Sequence, residues 1–444
     1  MQADIEGRGG FLFNVNLVFL SQILIYGLAF GLRVVLARGL GDSGLGTYSL
    51  FFVAVLVAGG LANLGVGLGN IYFLNKGTYS YGVLLSGSLF VLVATSAVAG
   101  AFVLAWGLAY QPELFVTGRA FWLYAAALPA VVGYVLLTSF LHGSSRFVAL
   151  SAVAIAQGCV GFGAVAVLEA LGRLDIFWAI AAWAGSFAAA DILALTLVRL
   201  READLGALLP PRWEVLREQV RYGAQGQLAN LAQLFNYRLD QFLVAAFVSR
   251  AGVGHYTVAV GLGESVWWIS SAVAMVLLPR LTRMESEEAA EKTPLICRNT
   301  LLVSAVAALA LMAVSPLAIR VLFGADFKPA TLPLVLLMPG IVAGSATRVL
   351  GSYLFSQGRI LYNTYATFIA LGLTLALDFA LIPRLEVEGA AIASSVAYTA
   401  SLIATLYWYR RVSGGSIREA LIFQRGDVRF YADVVQRLRR RWPA

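Results

Sequence analysis

Long runs of apolar residues recur along almost the whole chain, and short polar stretches separate them. Each run has roughly 18 residues or more, enough at 1.5 Å per residue to cross a hydrocarbon core of about 30 Å. Twelve such runs are visible, at about residues 11–37, 47–73, 80–108, 117–141, 147–171, 176–199, 222–248, 253–278, 298–322, 330–355, 361–383 and 387–409. The pattern therefore predicts an all-α integral membrane protein with twelve transmembrane helices.

The basic residues are distributed unequally between the two sides of the predicted helices. With a cytoplasmic N-terminus, 22 of the 32 Lys and Arg residues fall in cytoplasmic segments, seven on the opposite side and three within helices. Such an excess in cytoplasmic loops is the usual orientation signal of membrane proteins. It predicts that both termini are cytoplasmic. Because the charges flank membrane spans, we expect contact with membrane lipids and no nucleic-acid partner.

The composition excludes an ordinary soluble domain, since 60% of the residues are hydrophobic, 13% are charged and the mean hydropathy is +0.80. Cys159 and Cys297 form no CxxC motif, and the chain has two histidines, so we expect neither a disulfide framework nor a metal site. The runs GVGLGN and GLGE lie within predicted helices and follow no strand, so they are not nucleotide-binding loops. We expect no cofactor, and any energy input would come from a gradient such as that of protons or sodium.

The longest predicted cytoplasmic loop, residues 199–221, divides the chain into two halves of six predicted helices each. It contains Pro210-Pro211 followed by WEVLREQVR, which is typical of a short helix lying at the membrane interface. We therefore assign an N-terminal lobe, an inter-lobe linker, a C-terminal lobe and a basic amphipathic cytoplasmic tail, at residues 1–199, 200–221, 222–412 and 413–444.

Two short motifs occur in both halves, in the same order. GLGTY at 44–48 returns as GVGHY at 252–256, and SFLHGSSR at 139–146 returns as SYLFSQGR at 352–359. The shifts, 208 and 213 residues, are nearly equal. Because each half has an even number of helices, the two copies should have the same orientation. Transporters built from such parallel repeats bind their substrate between the halves.

The order of several longer motifs resembles a known superfamily. RVVLARGLGDSGLGTYSL is followed by NYRLDQFLVAAF and GVGHYTVAV, then by LPRLTR and LFGADF, and finally by LIPRLEVEGAAIASSVAY. This order resembles the polysaccharide transporter branch of the multidrug/oligosaccharidyl-lipid/polysaccharide (MOP) exporter superfamily, from about Phe11 to Tyr409. The resemblance implies an O-antigen or related lipid-linked oligosaccharide flippase, with two six-helix lobes around a central cavity. Many members have fourteen helices, so features of the extra helices do not carry over.

Polar side chains follow one face of the seventh predicted helix. At about 100° per residue, the side chains that form this polar stripe are Gln227, Asn230, Gln233, Tyr237, Asp240 and Gln241. Hydrocarbon cannot satisfy such a row, so we expect it to face a water-filled cavity or another polar helix face. Arg238 lies about 160° from Asp240 around the helix, so the two should have different partners. Packing of satisfied amides explains the Gln and Asn side chains equally well, but it explains Asp240 poorly.

Other predicted helices carry isolated polar residues. In the first helix Gln22, Tyr26 and Arg33 share one face to within about 40°, although Arg33 could also extend to the lipid headgroups. Glu264 lies about 18 Å from the outer end of the eighth helix, closer to the membrane midplane than the other carboxylates. Arg348 lies in the cytoplasmic half of the tenth helix, where it could meet a phosphate or a carboxylate.

Four further residues receive no role from their positions. Asp191 and Asp378 lie close enough to the ends of predicted helices to be interfacial. Trp267 and Trp268 could stack on sugar rings, but a tryptophan pair in contact with lipid is more common.

Together with these residues, the resemblance implies a flippase that moves a polyprenyl-diphosphate-linked oligosaccharide across the cytoplasmic membrane of a prokaryote by alternating access, for cell-surface polysaccharide biosynthesis. Because a guanidinium can donate two bonds to phosphate, Arg33, Arg238 and Arg348 are candidate contacts for the substrate headgroup. Asp240 and Glu264 are candidates for coupling to protons or sodium. Other polysaccharide-assembly proteins are further candidate partners.

Two alternatives stay open at this point. A cation-coupled multidrug exporter of the same superfamily would share the fold, but arginines near the cavity disfavour a cationic drug. A membrane glycan polymerase or ligase would usually need a sizeable outer loop, and the longest outer connection here is the short stretch around residues 110–117. We therefore do not expect an enzyme.

The tail after residue 413 alternates apolar and basic residues with helical spacing. Asp427 is placed to cap the N-terminus of a helix, and basic residues concentrate in the last turns of that helix, where they favour the helix dipole. The pattern predicts an amphipathic helix on the cytoplasmic leaflet. A solvated tail that only fixes the orientation of the chain is the alternative.

Overall fold

The structure is a computed structural model that describes residues 8–109, 113–114, 116–199, 211–424 and 427. It is almost entirely helical. The α-helices are α1 (Arg8–Ala62), α2 (Val66–Lys76), α3 (Tyr81–Ala109), α4 (Tyr124–Gly143), α5 (Phe147–Ala170), α6 (Ile176–Arg199), α7 (Trp213–Phe247), α8 (Arg250–Glu264), α9 (Trp267–Leu281), α10 (Ser286–Leu322), α11 (Thr331–Ser356), α12 (Ile360–Ser413) and α13 (Ile417–Leu421). Two 3-10 helices, Gly118–Leu123 and Ala325–Ala330, precede α4 and α11. Strands β1 (Glu113–Leu114) and β2 (Val116–Thr117) form a short antiparallel pair.

Many of these helices are long and apolar enough to cross a membrane. Among the described residues eight satisfy both conditions, or nine if the bent pair of α8 and α9 counts as one span. Helix α7, which carries the predicted polar stripe, is not among them. The helices confirm an all-helical protein with many membrane spans, while the number twelve and the orientation stay predictions.

Sharp backbone turns explain why the number of helices differs from the number of predicted spans. Helix α1 runs through the first two predicted spans and bends at Gly41, whose φ is 69°. Helix α12 runs through the last two and bends at Glu386, whose φ is 52°. The second predicted span is also interrupted, because Leu64 and Gly65 adopt left-handed φ angles of 51° and 78° between α1 and α2.

The chain folds into two compact units. Unit 1 comprises Met1–Phe242, Ser249–Gly254 and Leu322–Asp326, and unit 2 comprises Leu243–Val248, His255–Val321 and Phe327–Ala444. The predicted lobes at 1–199 and 222–412 were drawn from the sequence repeat rather than from contacts, and this assignment stays a prediction.

The core of unit 1 is built from α2 to α6 and the beginning of α7. Helix α4 packs against α2, α3 and α6, and α5 packs against α1 and α6. Phe73, Leu84, Phe140 and Val153 form part of its buried apolar cluster. In lipid, the hydrophobic effect contributes little to the association of helices. Small residues matter because they let helices pack closely.

The first copy of the repeated glycine motif packs directly against the second copy within unit 1. A side chain at Gly254 would place its Cβ 2.1 Å from the carbonyl oxygen of Asp42. Conversely, a Cβ at Gly46 would lie 1.8 Å from the carbonyl oxygen of Arg250. Real Cβ atoms do not approach backbone this closely, so glycine is required at both positions. The GLGTY and GVGHY motifs are therefore a backbone-to-backbone helix contact.

A buried network of polar side chains binds the beginning of α7 to the rest of unit 1. The amide nitrogen of Asn70 donates to the hydroxyls of Ser88 and Ser139, both at 2.9 Å. Gln219 donates to the side-chain oxygen of Asn70 at 2.6 Å, and both amides are fully buried. The expectation that WEVLREQVR forms a short helix of its own is therefore wrong, and its location at the membrane interface stays a prediction. This segment is the first part of α7 and is held by hydrogen bonds that water cannot replace.

Unit 2 has its own core, to which the end of the described chain contributes. Helix α11 packs against α9 and α12, and the cluster includes Cys297, Tyr353 and Tyr409. Ala420 of α13 is also fully buried in this cluster. Cys297 is buried in this core, whereas Cys159 in α5 is exposed.

Candidate functional site

The polar stripe of α7 begins with a structural contact. Gln227 is half-buried, and its amide nitrogen donates to the carbonyl oxygen of Gly60 at 2.7 Å. Asn63 donates to the side-chain oxygen of Gln227 at 3.5 Å. Gln227 therefore binds backbone and side chain at the end of α1, beside the interruption at Leu64 and Gly65. This position fits a helix contact made by satisfied amides better than it fits the lining of a water-filled cavity.

Further along the stripe, the side chains differ in burial. Asn230 is exposed, while Gln233 and Tyr237 are half-buried. Asp240 and Gln241 are only 1% and 4% exposed. The Asp240 carboxylate accepts a hydrogen bond from the backbone nitrogen of Gln241 at 2.9 Å. One end of the stripe is thus open and the other is covered.

The oxygen of the Gln241 side chain is notable within this covered end. It is inaccessible and accepts no hydrogen bond from any residue that the structure describes. An unsatisfied buried acceptor costs about 1–3 kcal/mol. Arg238, on another face of α7, is half-buried and donates to the carbonyl oxygen of Tyr237 at 3.0 Å.

The three predicted site residues of α1 lie on the same long helix before its bend at Gly41. Gln22 and Arg33 are half-buried, and Tyr26 is 37% exposed. Together with the α7 residues they supply the part of the predicted site that belongs to unit 1.

In unit 2, two predicted site residues lie close to one helix bend. Helices α8 and α9 meet at an angle of 43°, and Glu264 is the last residue of α8. Its side chain is half-buried. The helix break places a carboxylate where the backbone hydrogen-bonding pattern is interrupted. In membrane proteins, broken helices of this kind often form binding sites.

The first residue of α9, Trp267, contacts the second predicted residue. The guanidinium carbon of Arg348 lies 3.9 Å from the centre of a Trp267 ring, within the range of a cation–π interaction. Trp267 is 5% exposed, and its indole nitrogen donates to the carbonyl oxygen of Ile341 at 2.7 Å. The expectation of lipid contact is therefore wrong for Trp267, whereas Trp268 is 40% exposed.

Two aspartates that the sequence placed at helix ends lie elsewhere. Asp378 is fully buried in α12, one turn after the fully buried Thr374. Asp191 lies well inside α6, where its carboxylate contacts α4 so closely that a Cβ at Gly133 would lie 2.7 Å from it. Both carboxylates are therefore packed against protein. The spacing of Thr374 and Asp378 on one helix face was the signal in the sequence that could have identified the buried acid.

An apolar cavity of about 570 Å³ lies within unit 1, between α1, α3 and the beginning of α4. Its wall contains Thr95, whose hydroxyl donates to the carbonyl oxygen of Val91 at 2.7 Å. No charged residue lines it, so it offers nothing to a charged headgroup. Among the described residues, no group of three or more His, Cys, Asp or Glu side chains is arranged to hold a metal ion.

The beginning of the tail docks on α10 by an ion pair. The Arg298 guanidinium donates to both carboxylate oxygens of Asp427, at 2.7 and 2.6 Å, and Asp427 is 1% exposed. Asp427 also accepts a hydrogen bond from the backbone nitrogen of Gln424 at 2.8 Å. The charged pair with Arg298 is a contact that the sequence did not predict, and the role of Asp427 as a helix cap stays a prediction. The predicted amphipathic helix lies in residues 428–444, outside the described residues.

We expect docking of the tail to weaken at acidic pH. The hydrogen bond from Arg298 holds the pKa of Asp427 below its usual value. The pair therefore stabilises docking above the usual carboxylate pKa of about 4 and loses this effect as pH falls through the lowered pKa. A spin label at Phe423 should gain mobility over that range in the native protein. In an Asp427→Asn variant, mobility should already be high at neutral pH and independent of pH.

Long apolar helices that carry charged and amide side chains are typical of a polytopic membrane protein with a functional polar interior. Comparison with solved structures gives its fold: the structure "Lipid II flippase MurJ, inward closed conformation" aligns with a TM-score of 0.72 at 12% identity, covering 88% of this chain and 87% of that one. An inward-facing multidrug resistance MATE family transporter of the MOP superfamily aligns with a TM-score of 0.68 at 15% identity, covering 88% and 94%. These two alignments show that the chain has the fold of those transporters.

The sequence comparisons identify the family. The family model described as "Polysaccharide biosynthesis protein" matches residues 35–332, more than half of the chain, and the chain belongs to this family. It is also similar to the "Probable low-salt glycan biosynthesis flippase Agl15" of Haloferax volcanii, with 21% identity over 201 residues. That match spans 44% of this chain and 43% of the relative. The predicted superfamily is confirmed, and the relatives are named as flippases and transporters rather than as enzymes.

Proposed function

We propose that this protein flips a polyprenyl-diphosphate-linked oligosaccharide across the cytoplasmic membrane of a prokaryote, for cell-surface polysaccharide biosynthesis. The observation that carries the proposal is the stacking of Arg348 on a buried tryptophan within the spans of unit 2. A permanently charged guanidinium inside a membrane span is costly, and such residues commonly mark a substrate or ion pathway. A diphosphate is an anionic substrate group, and it accepts the paired donors of arginine.

The same proposal includes twelve membrane crossings, with both termini in the cytoplasm. Helices α1 and α12 each cross twice, because each is bent near its middle, at Gly41 and at Glu386. Helices α8 and α9 together cross once, and α7 crosses despite its polar stripe. Two parallel six-helix lobes around a central cavity, and transport by alternating access, then follow from the sequence repeat.

The headgroup would be bound by Arg33, Arg238 and Arg348, all of which are half-buried. The exposed amide of Asn230 supports a wet environment for part of the α7 stripe, since hydrocarbon cannot satisfy it. Such an environment suits sugar hydroxyls.

Ion coupling would use Asp240 and Glu264. Asp240 is almost fully buried, and Glu264 lies at the break between α8 and α9. Carboxylates inside membrane spans commonly mark ion or proton pathways. The fully buried Asp378 is a third carboxylate of this kind. Protons and sodium are both candidates for the coupled ion.

We expect Arg348→Gln to reduce flipping of a polyprenyl-diphosphate-linked oligosaccharide by about tenfold or more in proteoliposomes, because a lost charged hydrogen bond costs about 1.5–3 kcal/mol. Arg33→Gln and Arg238→Gln should also reduce it, and Arg→Lys should restore it only partly where two bonds are made. Arg119→Gln is the matched control, because Arg119 pairs with Asp175 on an exposed surface.

Two outcomes of the same assay would contradict the proposal. Normal flipping by all three Gln variants would show that the diphosphate does not use these arginines. Transport of a cationic dye without flipping of the lipid would identify a multidrug exporter instead. For the coupling residues, Asp240→Asn and Glu264→Gln should abolish any stimulation by an imposed proton or sodium gradient while leaving the protein folded.

A further inference from the structure

The α8–α9 bend, α11 and α12 meet at one rigid point in unit 2. Gly340, Gly344 and Arg348 are spaced four residues apart on α11, so they lie along one face of the helix. The backbone nitrogen of Gly340 donates to the hydroxyl of Ser395 on α12 at 2.9 Å. A Cβ at Gly340 would lie 2.5 Å from the Cα of Ser395. At Gly340, the backbone of α11 is therefore in direct contact with the backbone of α12.

The second residue of this face, Gly344, makes room for a flat aromatic ring. A Cβ at this position would lie 2.9 Å from two atoms of the Trp267 indole, so a larger residue would displace the ring. The hydrogen bond from the indole nitrogen to Ile341 fixes the ring from one side, and Tyr398 packs its edge against it at a centroid distance of 5.3 Å. The indole has little freedom to turn.

Arg348 lies over this fixed ring, one turn beyond Gly344. A guanidinium stacked on an aromatic ring uses its face, whereas its N–H donors lie in its own plane and point sideways. The ring and a hydrogen bond from Nη1 of Arg348 to the carbonyl oxygen of Gly344, at 3.4 Å, together set the direction in which the other donors point. Holding a long side chain in one orientation before a ligand arrives reduces the entropy lost on binding.

From this geometry we propose that Trp267 is a positioning residue: it holds the Arg348 guanidinium so that its N–H edge is presented to a diphosphate or a similar phosphate anion. The inference rests on the proposed function, because it takes Arg348 to bind the anionic headgroup. It goes further by assigning a role to an aromatic residue that touches the arginine rather than the substrate. It also explains why the helix break carries a buried tryptophan directly after the Glu264 turn.

The test uses the full-length protein in phosphatidylcholine nanodiscs, titrated calorimetrically with inorganic pyrophosphate. Trp267→Leu removes the ring face and should weaken binding by about threefold to tenfold, the change expected when one long side chain must be ordered on binding. Trp267→Phe retains a ring face and should retain most of the affinity. Trp268→Leu, which changes the neighbouring and more exposed tryptophan, is the matched control and should bind like the native protein. Thermal unfolding of each variant shows that it is folded.

A positioning role and simple packing predict different results in a double variant. In an Arg348→Gln background, adding Trp267→Leu should cause no additional loss of pyrophosphate affinity, because the guanidinium it would orient is absent. Equal weakening in both backgrounds would show that Trp267 acts only through general packing and would overturn the inference. So would native affinity in Trp267→Leu.

The failure of the proposed function is recognisable separately. If native protein binds pyrophosphate and Arg348→Gln does not, while Trp267→Leu binds normally, the anion site stands and only the positioning role is wrong. If native protein binds no pyrophosphate, the anionic headgroup site itself is wrong, and the positioning role falls with it.

Discussion

Gly254→Ala should destabilise the protein by about 3 kcal/mol or more and abolish transport, although alanine is the better helix former. The propensity gain in a helix interior is about 1 kcal/mol. Against it stands a Cβ placed 2.1 Å from the carbonyl oxygen of Asp42, and this neighbour is backbone that cannot rotate away. Forcing two packed helices apart costs more than the usual 1–3 kcal/mol of an overpacked core. The steric overlap outweighs the propensity gain, so the net effect on stability is destabilising.

Thermal unfolding in detergent measures this effect, and Gly100→Ala is the matched control. Gly100 lies within α3, and no atom lies within 4 Å of a Cβ built there. The control should be neutral or slightly stabilised. Equal stability of Gly254→Ala and Gly100→Ala would mean that the two copies of the glycine motif do not touch. Gly46→Ala, at the opposite side of the same contact, should behave like Gly254→Ala.

Asn70→Leu should destabilise the protein by about 3 kcal/mol and loosen the beginning of α7. The substitution removes three hydrogen bonds, each with a net value of about 1 kcal/mol. It also leaves the Gln219 amide with a 3.5 Å contact to the carbonyl oxygen of Leu84 as its remaining acceptor. Trypsin cleavage at Arg217 reports the loosening, since this site lies in the same segment.

A double variant separates the network from general packing. Because replacing both partners removes the unsatisfied donor, Asn70→Leu combined with Gln219→Leu should be less destabilised than the sum of the two single changes. Asn75→Leu is the control, since Asn75 lies on the same helix but its amide is exposed and donates to the carbonyl oxygen of Ile71. Full additivity, or a stable Asn70→Leu protein, would contradict the network.

Some sequence predictions failed for one common reason. The segment WEVLREQVR looked like a short separate helix, and Trp267 looked like part of a tryptophan pair in contact with lipid. In the structure WEVLREQVR begins α7 and its Gln219 is bonded to Asn70, while Trp267 is buried and donates to Ile341. Each outcome depends on a partner far away in sequence, which hydropathy and local spacing do not contain.

The helix bends show a second limit of sequence reading. A hydropathy profile counts apolar runs, and the twelve predicted runs correspond to helices that are merged at Gly41 and Glu386 or interrupted at Gly65 and Glu264. Backbone angles at single residues decide whether a helix continues, bends or stops. Nothing in an average over about 19 residues reports such an angle.

The sequence by itself determined that this is an all-helical membrane protein, while the superfamily followed from the resemblance of its motif order. Long apolar runs can be buried in lipid only as helices, because every backbone hydrogen bond must then be made within the segment. It also located the charged residues inside those runs, since a charge in hydrocarbon is conspicuous against its neighbours. Both conclusions follow from the chemistry of single residues and their surroundings in the chain.

Only the tertiary structure decided which of these residues meet and in what geometry. It placed Arg348 on the face of Trp267, joined Gly46 and Gly254 across two helices, and buried Asn70 against Gln219. Close contacts of this kind depend on the rotation and separation of packed helices to within about 1 Å. Many helix arrangements bury the same apolar faces equally well, and short-range overlap and hydrogen bonding select among them.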